Sequence, residues 1–354
     1  MKAKKVIKIV AFLVIFVTLF YCVQNVLIYC EARDQKRFAE FFENEKENSL
    51  DAVFLGSSAT YAFWNPPVAF SEYGIAVASL SNSSQPGFSA KFLIEEARKT
   101  QPDAVYIINI TRMLARYDKQ TQRIVACFPD GLNKLEMIDY LCDNAEMPLE
   151  ERMIHYLPII QYHDRWDELT YLDFEPDPEL YKCGSVYGSF LKKSTKFKPI
   201  APDFASEAEM SEIDMKGVQD LMDYLREEKI ESVFVIMPQA VDDKVQSGQQ
   251  NTAKRILLEN GFDVLDLREH IDEMGIDYAV DFYNERHTNL HGSLKVTDFI
   301  SRYLVAKYDF EDKFRDEDYA DWATAAKRYY KKIGDFVNDT DYQLLKAREK
   351  RAEE

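Results

Sequence analysis

The chain has no excess of positive charge, no paired-cysteine motif and only five histidines in 354 residues. Each shortage narrows what it can do. Lys and Arg number 44 against 61 Asp and Glu, for a net charge of −17. Without a basic footprint to offset phosphates, a nucleic-acid partner is not expected. No C-x-x-C pair, metal cluster, Gly-rich phosphate loop or cofactor motif is found, so neither metal nor cofactor is expected. The five cysteines are Cys22, Cys30, Cys127, Cys142 and Cys183. The last three are an odd set in the soluble part; one disulfide among them suits an oxidising compartment, with the pair left open. What remains is a globular composition, 46% hydrophobic and 30% charged.

The clearest positive signal is at the N-terminus. Lys2, Lys4, Lys5 and Lys8 precede a run from Ile9 to Cys30 that carries no charge. At about 1.5 Å per residue the run spans roughly 33 Å, enough for a bilayer core. Its end reads "NVLIYCEAR", with no small-x-small site, so a retained anchor is favoured over a cleaved signal peptide. The leading lysines place the N-terminus in the cytoplasm and residues 31–354 outside it, on a single-pass anchor in the cell membrane.

Beyond the anchor the expected organisation is a charged juxtamembrane helix over 31–50, a main domain over 51–308 and a charged helical tail over 309–354. The tail is read as a solvated helix on the rim. Within the main domain short apolar runs alternate with helical spacing. Strands are expected at 52–56, 76–80, 104–109, 232–237 and 263–267. Helices are expected at 87–100, 214–229, 252–260 (with Gly261 as C-terminal cap) and 291–308. The alternation implies a parallel sheet of about five strands covered on both faces. Residues 112–210 interrupt it as a helical insertion or lid. There, Arg165 and Trp166 read as an Arg–carboxylate pair and a packed aromatic, or else as a sugar or phosphate contact.

Ligands of such sheets sit beyond the carboxyl ends of the strands. The stretch "FLGSSATYAFWNP" (54–66) puts Ser57 and Ser58 directly after the first strand. A serine needs a base, and "DFYNERHTNLHGS" (281–293) supplies His287 and His291 in a polar segment before the last core helix. Topology brings both segments to the same edge of the sheet.

"FLGSS" followed by "RHTNLHGSLKVT", with "EYGI" at 72–75, "QP" at 85–86 and "YHDRW" at 162–166, resembles the SGNH/GDSL hydrolase superfamily. It is most similar to a membrane-anchored Gram-positive branch near D-alanyl-transfer and alginate O-acetyltransferase-type proteins. The resemblance implies a three-layer α/β/α, flavodoxin-like fold. It implies Ser58 as nucleophile, with Ser57 in place of the usual Asp, and His287 as base, followed by Asn289 and Gly292. It also implies an esterase or O-acyltransferase acting on envelope polysaccharide or teichoic-type polymer, with a membrane-bound O-acyltransferase as donor partner. Two features depart from the family. Asn284 stands where the orienting Asp is usual, leaving either Asn284 or Asp281 to orient His287. The oxyanion hole lacks its usual Gly and Asn. Its candidate donors are the amides of Ser58 and Ser83, with Asn82, Gln85 and Asn109 nearby and His163 and Arg165 as further substrate contacts. These departures keep open an alternative, a non-catalytic accessory protein on the same scaffold.

Overall fold

The computed structural model describes residues 2–28, 36–111, 119–170, 173–174, 180–182, 202–240 and 243–334. Cys30, Arg112, Cys183, residues 31–35 and the tail beyond 334 lie outside the described residues.

Helix α1 (Lys2–Leu27) is long and apolar enough to cross a membrane. The first described element after it is α2 (Lys36–Asn44), which buries Phe38 and Phe41. The sheet then begins. Strand β1 (Ala52–Gly56) leads through α3 (Ser58–Tyr61) and α4 (Pro66–Tyr73) to β2 (Val77–Ser81), and α5 (Ser89–Ala97) leads to β3 (Val105–Asn109). Helices α6 (Lys119–Cys127), α7 (Leu132–Asn144), α8 (Leu149–Tyr156) and α9 (Ile159–Tyr162) belong to the insertion. Helix α10 (Glu212–Glu227) returns to β4 (Ser232–Ile236), and α11 (Lys244–Glu259) leads to β5 (Asp263–Asp266). After α12 (Ile271–Met274) come the short strands β6 (Phe282–Asn284) and β7 (His287–Thr288), then α13 (Leu290–Lys307) and α14 (Ala320–Gly334).

The five strands are parallel in the order β2-β1-β3-β4-β5, and β6 pairs antiparallel with β7 as a separate hairpin. Both sides of the sheet bury apolar side chains, as the near-continuous Val/Ile/Leu/Phe runs require. Alternate residues of β1 show this: Val53 and Leu55 join one core cluster, Ala52 and Phe54 the other. The first cluster takes in α2, α5, α7, α10 and α14, and the second takes in α13.

Three expectations need correction. Helix α11 starts at Lys244, eight residues before the expected Thr252. Its early face is buried but polar. Gln246 and Gln250 donate to the Thr111 carbonyl, and Ser247, Gln250 and Asn251 accept from the buried Arg268 guanidinium. Gly261 does cap it, at φ +81, with Phe262 N–H donating to Leu257 O. Secondly, the described part of the tail is not a solvated rim. Trp322, Ala325, Ala326, Tyr329, Tyr330 and Ile333 of α14 are buried in the first cluster, a stripe at helical spacing. Thirdly, Trp166 is 71% exposed rather than packed.

Candidate active site

Ser58 is held by a turn that only glycine permits at its start. Gly56 has φ +149, and a Cβ there would lie 2.3 Å from Thr60 Oγ1 and 2.7 Å from Asn109 Cβ. The chain can then turn sharply from β1 into α3. Ser57 caps that helix, its hydroxyl accepting from Ala59 N–H at 3.4 Å. Ser58 follows as the first helical residue, partly exposed.

His287 arrives on the β6–β7 hairpin, which is fixed from three sides. Asn289 caps α13 by accepting from Gly292 N–H at 3.2 Å, and donates to Val280 O at 2.6 Å. Gly292 lets the backbone of residue 281 approach: a Cβ there would lie 2.3 Å from the Asp281 carbonyl oxygen. The "HTN" segment is also tied to the serine side, because Thr288 Oγ1 donates to Ala62 O. On the inner side Phe282 packs edge-on against Phe63 at 6.0 Å and tilted against Tyr278 at 5.2 Å. Burial pushes the Tyr278 phenol up to about 12, so it stays neutral as it packs.

These supports bring two distant segments together. His287 Nε2 lies 2.8 Å from Ser58 Oγ. On the other side of the ring, His287 Nδ1 lies 3.1 Å from Asn284 Oδ1. The same Asn284 oxygen accepts the Arg286 backbone N–H at 2.9 Å. A backbone N–H can only donate, so the atom facing it is the amide oxygen and not the nitrogen. His287 Nδ1 must therefore carry the proton, leaving Nε2 as an acceptor for the serine hydroxyl. This tautomer suits a general base.

Of the two candidates for orienting His287, the structure sets Asn284 against the ring. Asp281 is buried and turned elsewhere: its Oδ2 pairs with Lys295 Nζ at 2.8 Å and accepts Asp277 N–H at 2.7 Å. Its Oδ1 has no hydrogen-bond partner among the described residues.

The residues proposed for the oxyanion hole separate into groups. The Ser83 N–H donates to Asn82 Oδ1 at 2.7 Å, so that amide is engaged within its own loop. Asn109 is occupied on both sides, donating to Thr60 Oγ1 at 3.0 Å and accepting Thr111 N–H at 2.9 Å. It braces the turn under Ser58. Asn82 is different. Its backbone N–H donates to Gly56 O at 3.1 Å, which places it beside the end of β1. Its side-chain Nδ2 is buried and has no partner among the described residues, and the same is true of Gln85 Oε1. A buried amide nitrogen without an acceptor is costly unless something occupies it.

His163 and Arg165 lie in a 3-10 turn (His163–Asp167) of the insertion. His163 is exposed, with Nδ1 at 3.0 Å from Ile160 O. Arg165 donates to Leu27 O at the end of α1 at 2.9 Å and pairs with Asp173 at 2.9 Å. These contacts tie the insertion to the end of α1. Sequence reasoning missed Thr60, whose hydroxyl accepts from Asn109, and Arg286 and Thr288, whose parts in the site run through backbone groups. Among the described residues no three His, Cys, Asp or Glu side chains gather as a metal site. No protein-family model matches the chain, and no curated protein matches it.

Proposed function

We propose that this chain is a membrane-anchored serine esterase or O-acyltransferase of the SGNH type, on a three-layer α/β/α, flavodoxin-like fold. The observation that carries the reading is the 2.8 Å approach of His287 Nε2 to Ser58 Oγ across 229 residues of chain. It is supported by the strand order, with the serine directly after β1 and the histidine directly before α13.

The geometry supports the following steps. Asn284 holds the Nδ1–H tautomer. His287 Nε2 takes the Ser58 proton as Oγ attacks an ester carbonyl. The resulting oxyanion meets the Ser58 N–H and the unpaired Asn82 Nδ2; each such donor contributes about 3–4 kcal/mol to the transition state. The imidazolium returns its proton to the departing alcohol and leaves an acyl-serine. His287 then takes the proton of the acceptor, water or a sugar hydroxyl, as it attacks the acyl carbon, and returns it to Ser58 Oγ as the acyl bond breaks. With α1 as an anchor and the main domain outside the cytoplasm, the substrate is envelope polysaccharide or teichoic-type polymer, and the acyl donor is a membrane-bound O-acyltransferase.

One observation favours a second reading, an accessory protein without catalysis: the carboxylate is missing beside His287 and Asp281 is tied to Lys295. A fluorophosphonate probe separates the two. Labelling of the wild type that Ser58→Ala abolishes is the expected result. Absence of labelling in folded wild type rejects the enzyme in favour of the accessory protein.

A further inference from the structure

The far end of α1 does not stand clear of the rest of the protein. Leu27 and Ile28 are buried against Ala126 and Tyr162. Arg165 donates to Leu27 O, and Ile159 N–H reaches Gln24 Oε1 at 3.5 Å. Earlier in the helix, Tyr21 donates its hydroxyl to Asp130 Oδ2 at 2.8 Å. Tyr21 lies six residues before Leu27, roughly 9 Å along the axis. The uncharged run begins at Ile9, and a hydrocarbon core of about 30 Å takes some 20 residues of helix. Tyr21 therefore lies near or within the acyl boundary, and whatever bonds to it is at lipid depth.

The segments that make these contacts also carry exposed apolar side chains. Just after Asp130, Leu132 is 78% and Leu135 45% exposed. Beside Ile159 and Arg165, Ile160 is 45% and Trp166 71% exposed. Two of the charges there are paired, Asp130 with Lys134 at 2.7 Å and Arg165 with Asp173, while Asp164 is exposed. Exposed apolar side chains with a Trp, next to paired charges and an exposed polar edge at Asp164, suit the headgroup–acyl boundary.

We infer that residues 130–135 and 159–166 form a bilayer-contacting face, seating the insertion on phospholipid beside α1. The inference rests on α1 crossing a bilayer and is independent of the chemistry at Ser58. It makes the insertion a fixed collar at the membrane surface, held to the anchor at two levels.

The chain carries its own reporter. It has three tryptophans, of which Trp64 and Trp322 are 0% and 1% exposed. The full chain is reconstituted into vesicles of phosphatidylcholine with a minor share of phosphatidylglycerol, with and without acyl-brominated phosphatidylcholine. Bromolipid should remove most of the emission that Trp166→Phe also removes, and the remainder should not respond. In the Trp166→Phe background, Leu132→Trp should restore a bromolipid-quenched signal. Absence of quenching at either position, in chains that resist alkaline carbonate extraction, overturns the inference and leaves the anchor standing. Extraction of the chain by carbonate overturns both.

Discussion

Asn284 Oδ1 receives two N–H groups at once, from His287 Nδ1 at 3.1 Å and from the Arg286 backbone at 2.9 Å. The second bond fixes which end of the amide faces the ring, and so fixes the imidazole tautomer. An amide thereby does the orienting part of a carboxylate's work without its charge.

That division is testable by two substitutions at one position. Asn284→Ala leaves the tautomer unset, and the rate of labelling by a fluorophosphonate should fall by about 10²–10⁴-fold. Asn284→Asp keeps an oxygen for both N–H groups and adds a charge that favours imidazolium. Its labelling rate should rise at alkaline pH, and the acid limb of its pH profile should move to higher pH than in the wild type. An acid limb that stays in place argues against His287 as the base.

Gly56→Ala should damage stability and site together. The added Cβ meets Thr60 Oγ1 at 2.3 Å, and φ is +149. Backbone strain and the clash together cost about 2–4 kcal/mol. Denaturant titration in detergent reads the loss. Thr60→Ala combined with Gly56→Ala should recover part of it, and no recovery speaks against the clash.

Helix α14 should behave as core. Trp322→Ala removes a side chain that is 1% exposed and should cost about 3–5 kcal/mol. The exposed Lys327→Ala should stay within about 0.5 kcal/mol. Equal, small effects at both positions restore the solvated-tail reading.

Acid should weaken the insertion through His155. Burial in α8 lowers its pKa below the ordinary 6.5, and its Nδ1 has no hydrogen-bond partner among the described residues. The unfolded chain then binds a proton that the folded chain refuses. Stability is full above pH about 6.5 and is lost as pH falls through the lowered value, with a slope of at most about 1.4 kcal/mol per pH unit. Melting temperatures across this range should fall less steeply for His155→Leu than for wild type, and equal slopes reject the assignment.

The five strands were legible because each is a short apolar run bounded by turns, and their ends shift by only a residue. The start of α11 was not, because its buried face is Gln246, Ser247, Gln250 and Asn251, polar side chains satisfied by Arg268 and the Thr111 carbonyl. Apolar periodicity cannot detect a buried face built from hydrogen bonds. In α14 the stripe from Trp322 to Ile333 was in the sequence at the right spacing but was outweighed by its charged neighbours. At the site, their places at the sheet edge singled out Ser57 or Ser58 and His287 or His291, and the family resemblance chose Ser58 and His287. The choice between Asn284 and Asp281 could not, because it depends on the path of a hairpin and on Lys295 drawing the carboxylate away.

Synthesis runs from Ser58 towards His287, and the two are 229 residues apart. A growing chain thus displays its hydroxyl long before any imidazole can reach it. Chains cut short before residue 287 hold an inert alcohol at the end of β1. On the proposed chemistry, reactivity at Ser58 waits until residue 287 has been made and folded against it, a delay that comes from chain order alone.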